Sequence, residues 1–430
     1  MPLRQRSHGP PADNGDLMIP TPAVPSGAPD PVLPRGAVAC LSLSAFGSGM
    51  SLRLNDALLP QLVREFGVTL GQASQVISLF AIAYGLSQLF FGPVGDRFGK
   101  YRVVAWATAA CAAASLASAL APDFLTLRLT RVLSGAMAAA IIPLAMAWIG
   151  DVVPYAQRQP VLARFLIGQI MGLSAGVWLG GFAADHLSWQ APYVIVALFF
   201  VAASAALFVL HRRLPAAARG PVRAAGPAWR RMLSEFAQVL SLPWARAVLI
   251  LVFIEGMCLY GPFAFIAAHV HQTFGLSLAS AGSLVMLFGL GGLLFALLSG
   301  GLVRRLGERG LACWGGALMC LSLLGIGFAP NWGWAVPGCF ALGLGFYMLH
   351  NTLQVNATQM APERRGAAVS AFAACFFLGQ SAGVSLGAWS VGTLGAGRFI
   401  ALGGLGLLAV SLFFASALGR QRRASVASAA

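Results

Sequence analysis

Charge is what this chain has least of. Asp, Glu, Lys and Arg make up 10% of 430 residues, Lys100 is the single lysine, and 58% of residues are hydrophobic. An average soluble domain carries roughly 25% charged residues, so a water-soluble fold is excluded. Lys100 is followed by Tyr101, so the chain has no Gly-Lys-Ser/Thr phosphate-binding loop and ATP is not used by that route. No H-E-x-x-H, G-x-G-x-x-G or EF-hand pattern occurs, so neither a metal nor an organic cofactor is expected. The seven cysteines lack C-x-x-C spacing and sit within or at the ends of apolar runs, as small packing residues do. Gly172-Leu173-Ser174-Ala175-Gly176 matches the hydrolase elbow pattern without its strand-turn-helix context, and no enzyme is read from it.

What is present in abundance is apolar runs of about 20 residues, each long enough to cross a ~30 Å hydrocarbon core as a helix. They fall near 37–62, 72–92, 103–121, 124–150, 160–184, 189–210, 244–268, 276–301, 310–328, 334–358, 366–391 and 396–418. The expected fold is therefore an all-α membrane protein with twelve transmembrane helices. Residues 1–34 hold nine of the 24 prolines and no apolar signal core, and read as a disordered cytoplasmic tail. Six-helix halves over 35–210 and 244–418 flank a basic linker at 211–243, and a tail follows at 419–430. The linker carries Arg212, Arg213, Arg219, Arg223, Arg230 and Arg231 against Glu235 alone, suited to anionic lipid headgroups.

The net charge of +15 would point to nucleic acid if it lay on one face. It alternates instead. Of the 28 cations, 23 fall in the tails or in every second loop, which excludes a nucleic-acid role and places both termini in the cytoplasm.

Residues 66–100 align without a gap on 274–308, at an offset of 208, with eleven of 35 positions identical. The pairs include Phe66 with Phe274, Gly67 with Gly275, Phe80 with Phe288 and Gly99 with Gly307. The two halves are thus copies in parallel orientation, a plan used by transporters.

After the second span, Gly92-Pro93-Val94-Gly95-Asp96-Arg97-Phe98-Gly99-Lys100-Tyr101-Arg102 places glycines at a tight turn beside one acid and three cations. The string resembles the signature loop of the major facilitator superfamily, and with the halved twelve-span plan the resemblance runs from about Ala37 onward. It implies a conformational latch made by Gly92, Asp96, Arg97, Gly99, Lys100 and Arg102. Asp96 can accept hydrogen bonds from a helix N-terminus, and a guanidinium can pair with Asp151 at the end of span four. The second copy has Arg304 and Glu308 where Asp96 and Lys100 stand, so only the first half carries the full loop.

Arg131-Val132-Leu133-Ser134-Gly135 resembles the family's span-four motif. Arg131 is either a coupling or substrate-contacting residue or a structural donor to backbone carbonyls. Gly168, Gly172, Gly176 and Gly180 share one face of span five and let a neighbouring helix approach. They resemble an antiporter motif in which Val177 replaces the expected proline. Spans one, four, seven and ten line the path by resemblance, making His350, Asn351 and Gln354 substrate-cavity candidates. Helix-gluing polar contacts are the other reading for those three.

Asp56 lies nine residues before Glu65, about 13 Å into the membrane on a continuous helix. Arg53, three residues earlier, can favour its carboxylate when close and release it when separated. Glu255 is the acid in the membrane core of the second half. Asp56, Arg53, Arg131 and Glu255 are thus the proton-coupling candidates, although Arg53 and Asp56 could also form a static charge-cancelling pair.

The resemblance implies a monomeric secondary active transporter of a small molecule in the plasma (inner) membrane, surrounded by lipid and coupled to protons, with efflux as the leading direction. The alternatives are an importer or uniporter of a small polar solute, and a non-transporting receptor on the same fold. The cation distribution predicts that a protease will cut the 211–243 linker in inside-out vesicles and not in intact cells; cleavage only from outside would contradict the topology.

Overall fold

The computed structural model describes residues 36–219 and 228–429. The tail expected at 1–34 and the middle of the linker lie outside the described residues. Helix α1 (Ala37–Arg53) and α2 (Leu59–Phe66) make the first crossing, and α3 (Leu70–Ala73) with α4 (Gln75–Phe98) the second. The third is α5 (Lys100–Ala119), the fourth α6 (Phe124–Ala138) with α7 (Ile141–Val152), the fifth α8 (Tyr155–His186) and the sixth α9 (Ala191–Arg213). Two linker helices, α10 (Ala216–Arg219) and α11 (Ala228–Ser241), precede the second half. There α12 (Pro243–Phe274) is the seventh crossing, α13 (Leu278–Gly327) the eighth and ninth, α14 (Ala335–Gln359) the tenth, α15 (Arg365–Leu394) the eleventh and α16 (Ala396–Ala429) the twelfth.

Ten helical stretches among the described residues are long and apolar enough to span a bilayer. Two features bring the crossings to twelve. Helix α13 divides at Gly307 (φ 61°, ψ 178°) into two crossings. The first crossing is cut by turns at 54–58 into pieces of 17 and 8 residues, each short of a full span. The 419–430 segment, expected as a tail, continues α16 as helix to Ala429.

The sequence repeat reappears as a backbone repeat. Gly67 and Gly275 both take φ near +65° (63° and 67°), and Gly99 and Gly307 both take positive φ (89° and 61°), conformations open chiefly to glycine. Gly135 packs on the carbonyl of Phe80, and Gly343 on that of Phe288, so the same helix contact is built twice.

Glycine also sets a second close helix pair in each half. A Cβ on Gly168 would stand 2.6 Å from the Ser42 carbonyl oxygen and one on Gly176 2.5 Å from that of Met50; Gly172 and Gly180 lie against Phe46 and Leu54 still more tightly. Both partners advance by four residues, so α1 and α8 run side by side with backbones touching. In the second half Gly379 meets the Phe253 carbonyl and Gly383 that of Met257, each 207 positions after its counterpart. Lipid offers no hydrophobic drive for helices to associate, so such close backbone packing carries the association.

The halves meet where α4 faces α15 and α8 faces α13. From the side opposite the linker to about mid-membrane these helices touch through glycine: Gly71 against Ala388, Gly181 against Leu278, Gly282 against Val177 and, deepest, Gly85 against Ala374. On the linker side, Gly92, Gly300 and Gly366 have nothing within 4 Å of a Cβ position. The seam is thus closed at the far face and parted at the linker face. Outside the spans, Asp123 caps α6 by accepting the Thr126 N–H at 2.7 Å, which holds its carboxyl below the usual range.

Gly172→Val would force a branched side chain into the backbone of α1, and overpacking of this kind costs about 1–3 kcal/mol. The variant should melt several degrees below the parent in detergent, whereas Gly150→Ala, where no atom lies within 4 Å, should melt at or above it. Equal melting of both variants would contradict the contact.

Candidate functional site

The turn that interrupts the first crossing carries the most unusual charges in the molecule. Arg53 is the last residue of α1, and the Asp56 N–H bonds to its carbonyl at 3.1 Å, so the acid sits in the break and not on a continuous helix. The reach estimated from helical rise is therefore corrected, while the neighbour relation holds: Arg53 Nη1 lies 3.5 Å from Asp56 Oδ2. Both side chains are buried, 3% and 0% exposed. Broken membrane helices expose main-chain and charged groups inside protein, which is where transporters place ligands and ions.

The guanidinium of Arg53 does not stop at its own half. Its Nη2 donates to Gln380 Oε1 on α15 at 3.4 Å, and its central carbon stands 3.6 Å over the Tyr260 ring and 5.2 Å from that of Phe263, both on α12. A desolvated cation over an aromatic face gains about 2 kcal/mol. Tyr260 lies 207 positions after Arg53, the shift that relates α1–α8 packing to α12–α15 packing. Cation and ring thus occupy equivalent places in the two halves and meet where the halves face each other. A small cavity of about 10 Å³ adjoins them, lined also by Ser174, Val285 and Phe288.

On the second-half side, Glu255 is fully buried on α12 and its Oε2 lies 2.9 Å from His350 Nδ1 on α14. Sequence reading assigns these two to different tasks; the fold makes them a pair. The imidazole is packed by Phe346, Phe372 and Phe376, with centroids at 4.8, 5.4 and 4.6 Å. Tyr260 joins the same aromatic cluster through Phe346 and Phe376, linking the two pairs physically. Asp56 Oδ1, Glu255 Oε1 and the Gln380 amide nitrogen are buried without a protein hydrogen-bond partner. Native interiors seldom leave such groups bare, and three in one region mark a place for protons, water or solute.

Arg131 is 1% exposed and tied to backbone. It donates to the Ser51 carbonyl at 2.7 Å, to Ser51 Oγ at 3.3 Å and to the Val76 carbonyl at 3.4 Å, and lies 4.3 Å over Phe80. That geometry matches the structural alternative for this residue, bracing α1 and α4 on α6. Beyond His350, Asn351 is half-buried and Gln354 exposed one turn further toward the linker face, so the three do not form a single cluster.

At the latch loop, Lys100 is central. Its Nζ lies 2.5 Å from Asp151 Oδ2 and 3.5 Å from Asp96 Oδ1, so the cation expected to be a guanidinium is the ammonium. Arg97 instead stacks on Phe98 at 5.1 Å, and Arg102 is exposed on α5. Gly99 closes α4 with positive φ, and Gly92 stands exposed with open space around it. The carboxylate of Asp96 faces Lys100, one turn on, and not a helix end.

Sequence reasoning passed over Gln380, Tyr260 and the Asn55–Tyr193 pair, in which the Tyr193 hydroxyl donates to Asn55 Oδ1. The first was legible as the sole amide in the 366–391 run. Tyr260 offered no signal, because an aromatic in an apolar span has no polar spacing to betray it.

A model of the Major Facilitator Superfamily matches residues 41–384. An uncharacterized MFS-type transporter of Bacillus subtilis (strain 168), YceJ, is 25% identical over 349 residues, 79% of this chain and 85% of the relative. A probable sugar efflux transporter of Helicobacter acinonychis (strain Sheeba) is 24% identical over 374 residues, covering 86% and 93%. Among solved structures, a peptide transporter POT in complex with sulfate shares the fold with a TM-score of 0.72 at 15% identity, over 90% of this chain and 94% of that one. The family match spans both halves of a chain built as two copies of six crossings, and the protein belongs to the Major Facilitator Superfamily, as a membrane transporter and not an enzyme.

Proposed function

We propose that this protein exports a small solute in exchange for protons across the plasma (inner) membrane by alternating access. The observation that carries the reading is the pair of buried acids beside the seam, Asp56 and Glu255, each with one oxygen lacking a protein partner. Asp56 faces the fixed cation of Arg53, and Glu255 faces the titratable imidazole of His350. The linker face is cytoplasmic in this reading, following the cation distribution, and the protein works as a monomer.

The cycle follows from electrostatics. Asp56 ionised holds Arg53 to the first half. A proton on Asp56 frees the guanidinium, which in a low-dielectric interior keeps its partners across the seam, Tyr260 and Gln380. Protonation from outside therefore favours the state closed at the far face, as seen here. Proton release to the cytoplasm lets the halves reverse and carry solute outward. Each proton entering with the potential supplies ~2.3 kcal/mol per 100 mV. Glu255 and His350, in their aromatic surround, form the solute-facing side, with Asn351 and Gln354 toward the cytoplasmic mouth. Asp96, Lys100 and Asp151 are the cytoplasmic latch, free of a helix end while that face is parted. Efflux is supported by the relative described as a sugar efflux transporter and by the glycine stripe of α8.

In liposomes with a pH gradient, screening a solute library for solute-driven proton movement identifies the cargo. With it, Asp56→Asn should lose proton movement by at least about tenfold while solute exchange persists, and Glu255→Gln should impair solute binding and coupling together. If both variants move protons with solute as the parent does, neither acid carries coupling and Arg53 with Asp56 is a static pair.

A further inference from the structure

Asp185, near the far end of α8, belongs to neither the buried site nor the latch loop. Its Oδ2 accepts a 2.5 Å hydrogen bond from the Ala279 N–H. Ala279 lies in the first turn of α13, whose N-cap Ser277 accepts the Ser280 N–H at 3.1 Å. The first N–H groups of a helix have no acceptor within it and form the positive end of its dipole, so a carboxylate there is favourably placed. Helix α8 belongs to the first half and α13 to the second. This bond therefore crosses the seam.

Below it the two backbones are in contact. Gly181 lies against the Leu278 carbonyl, and a Cβ on Gly282 would stand 2.9 Å from the Val177 oxygen. Asp185 is thus the outermost contact of a glycine-lined seam that is closed in this structure.

The internal repeat shows that the fold does not require this acid. Ala279 corresponds to Gly71 at the offset of 208, and Asp185 to Gly392 at the offset of 207 that relates α8 to α15; Gly71 packs on the Ala388 carbonyl at the other seam. Gly392 has no side chain to bridge with, and the hydroxyl of its neighbour Thr393 donates to the Ser390 carbonyl within its own helix at 3.2 Å. The same backbone approach is made twice, and one copy carries a charge. Asp96 is the counterpart at the opposite face, with Arg304 in its second copy. Here Asp185 is engaged on a helix end while Asp96 faces Lys100 and the helices around it stand apart.

We propose that Asp185 is the lock of the far-side gate: its carboxylate holds the N-terminus of α13 while that face is closed and releases it when the face opens, so it sets the balance between the two states. The side chain is exposed, so water can replace the Ala279 N–H on opening, and the lock biases the equilibrium without freezing it. The proposal rests on the alternating-access part of the proposed function and not on protons or solute.

Ser174 lines the small cavity beneath this gate, so a cysteine there reports opening of the far face. In a background with the seven native cysteines replaced, Ser174→Cys is labelled by a membrane-impermeant maleimide from the far side, without solute or gradient. Asp185→Ala should raise the labelling rate about tenfold, within the usual range of coupling between states. Asp185→Asn, which keeps an acceptor oxygen and the shape but loses the charge, should fall between, and Thr393→Ala should label at the parent's rate. Asp185→Ala and Asp185→Asn labelling as the parent does, or Thr393→Ala rising equally, would overturn the lock. A parent never labelled from the far side would overturn alternating access as well, whereas loss of coupling in the acid variants leaves this readout untouched.

Discussion

One buried guanidinium is shared between the two halves. Arg53 is covalently part of the first half, pairs there with Asp56, and spends its second nitrogen and its π-face contact on the other half. A charge at this depth is costly unless every arrangement of the protein gives it partners. Arg53 and Asp56 would stand one turn apart on a continuous helix, and the turns at 54–58 keep them together, the Asp56 N–H bonding to the Arg53 carbonyl. The cost of burying charge also explains why the partner at the equivalent position of the second half is a tyrosine and not a second cation.

Departures from symmetry are where the buried and seam charges stand. The two halves repeat their glycine turns, their close helix pairs and their packing on Phe80 and Phe288. They do not repeat Arg53, Asp56, Arg131, Asp96, Asp185 or Glu255. Shared positions build two six-helix bodies; Arg53 and Asp185 bond across the seam between them, Asp96 lies at its linker end, and Arg131 braces the first body from within. Motion of one body on the other is then resisted or helped by a few charged contacts, while the packing within each body is left alone.

This division also decides what could be read from the sequence. The twelve crossings, the repeat and the glycine stripe are written in local patterns, because apolar length and i, i+4 spacing act within one helix. Arg53 and Asp56 were legible as neighbours for the same reason. The Glu255–His350 pair joins residues 95 apart, and nothing at either position alone names the other. The break at 54–58 was missed because its residues, Leu54 to Leu58, contain no glycine or proline; Pro60 stands inside the following helix. Depth alone leaves Arg131 either a functional or a structural residue, and its bonds to Ser51 and to the Val76 carbonyl emerge only in the tertiary fold.

In the proposed cycle the charge on Asp56 decides how strongly Arg53 binds the second half. Spin labels at Leu120 and Phe328, exposed in far-face loops of opposite halves, report the separation of those halves by pulsed electron resonance. The parent is expected to shift toward the short, closed separation on moving from mildly alkaline to mildly acidic pH, and Asp56→Asn to hold the short separation at both. The same pH-dependent shift in Asp56→Asn as in the parent would contradict the account.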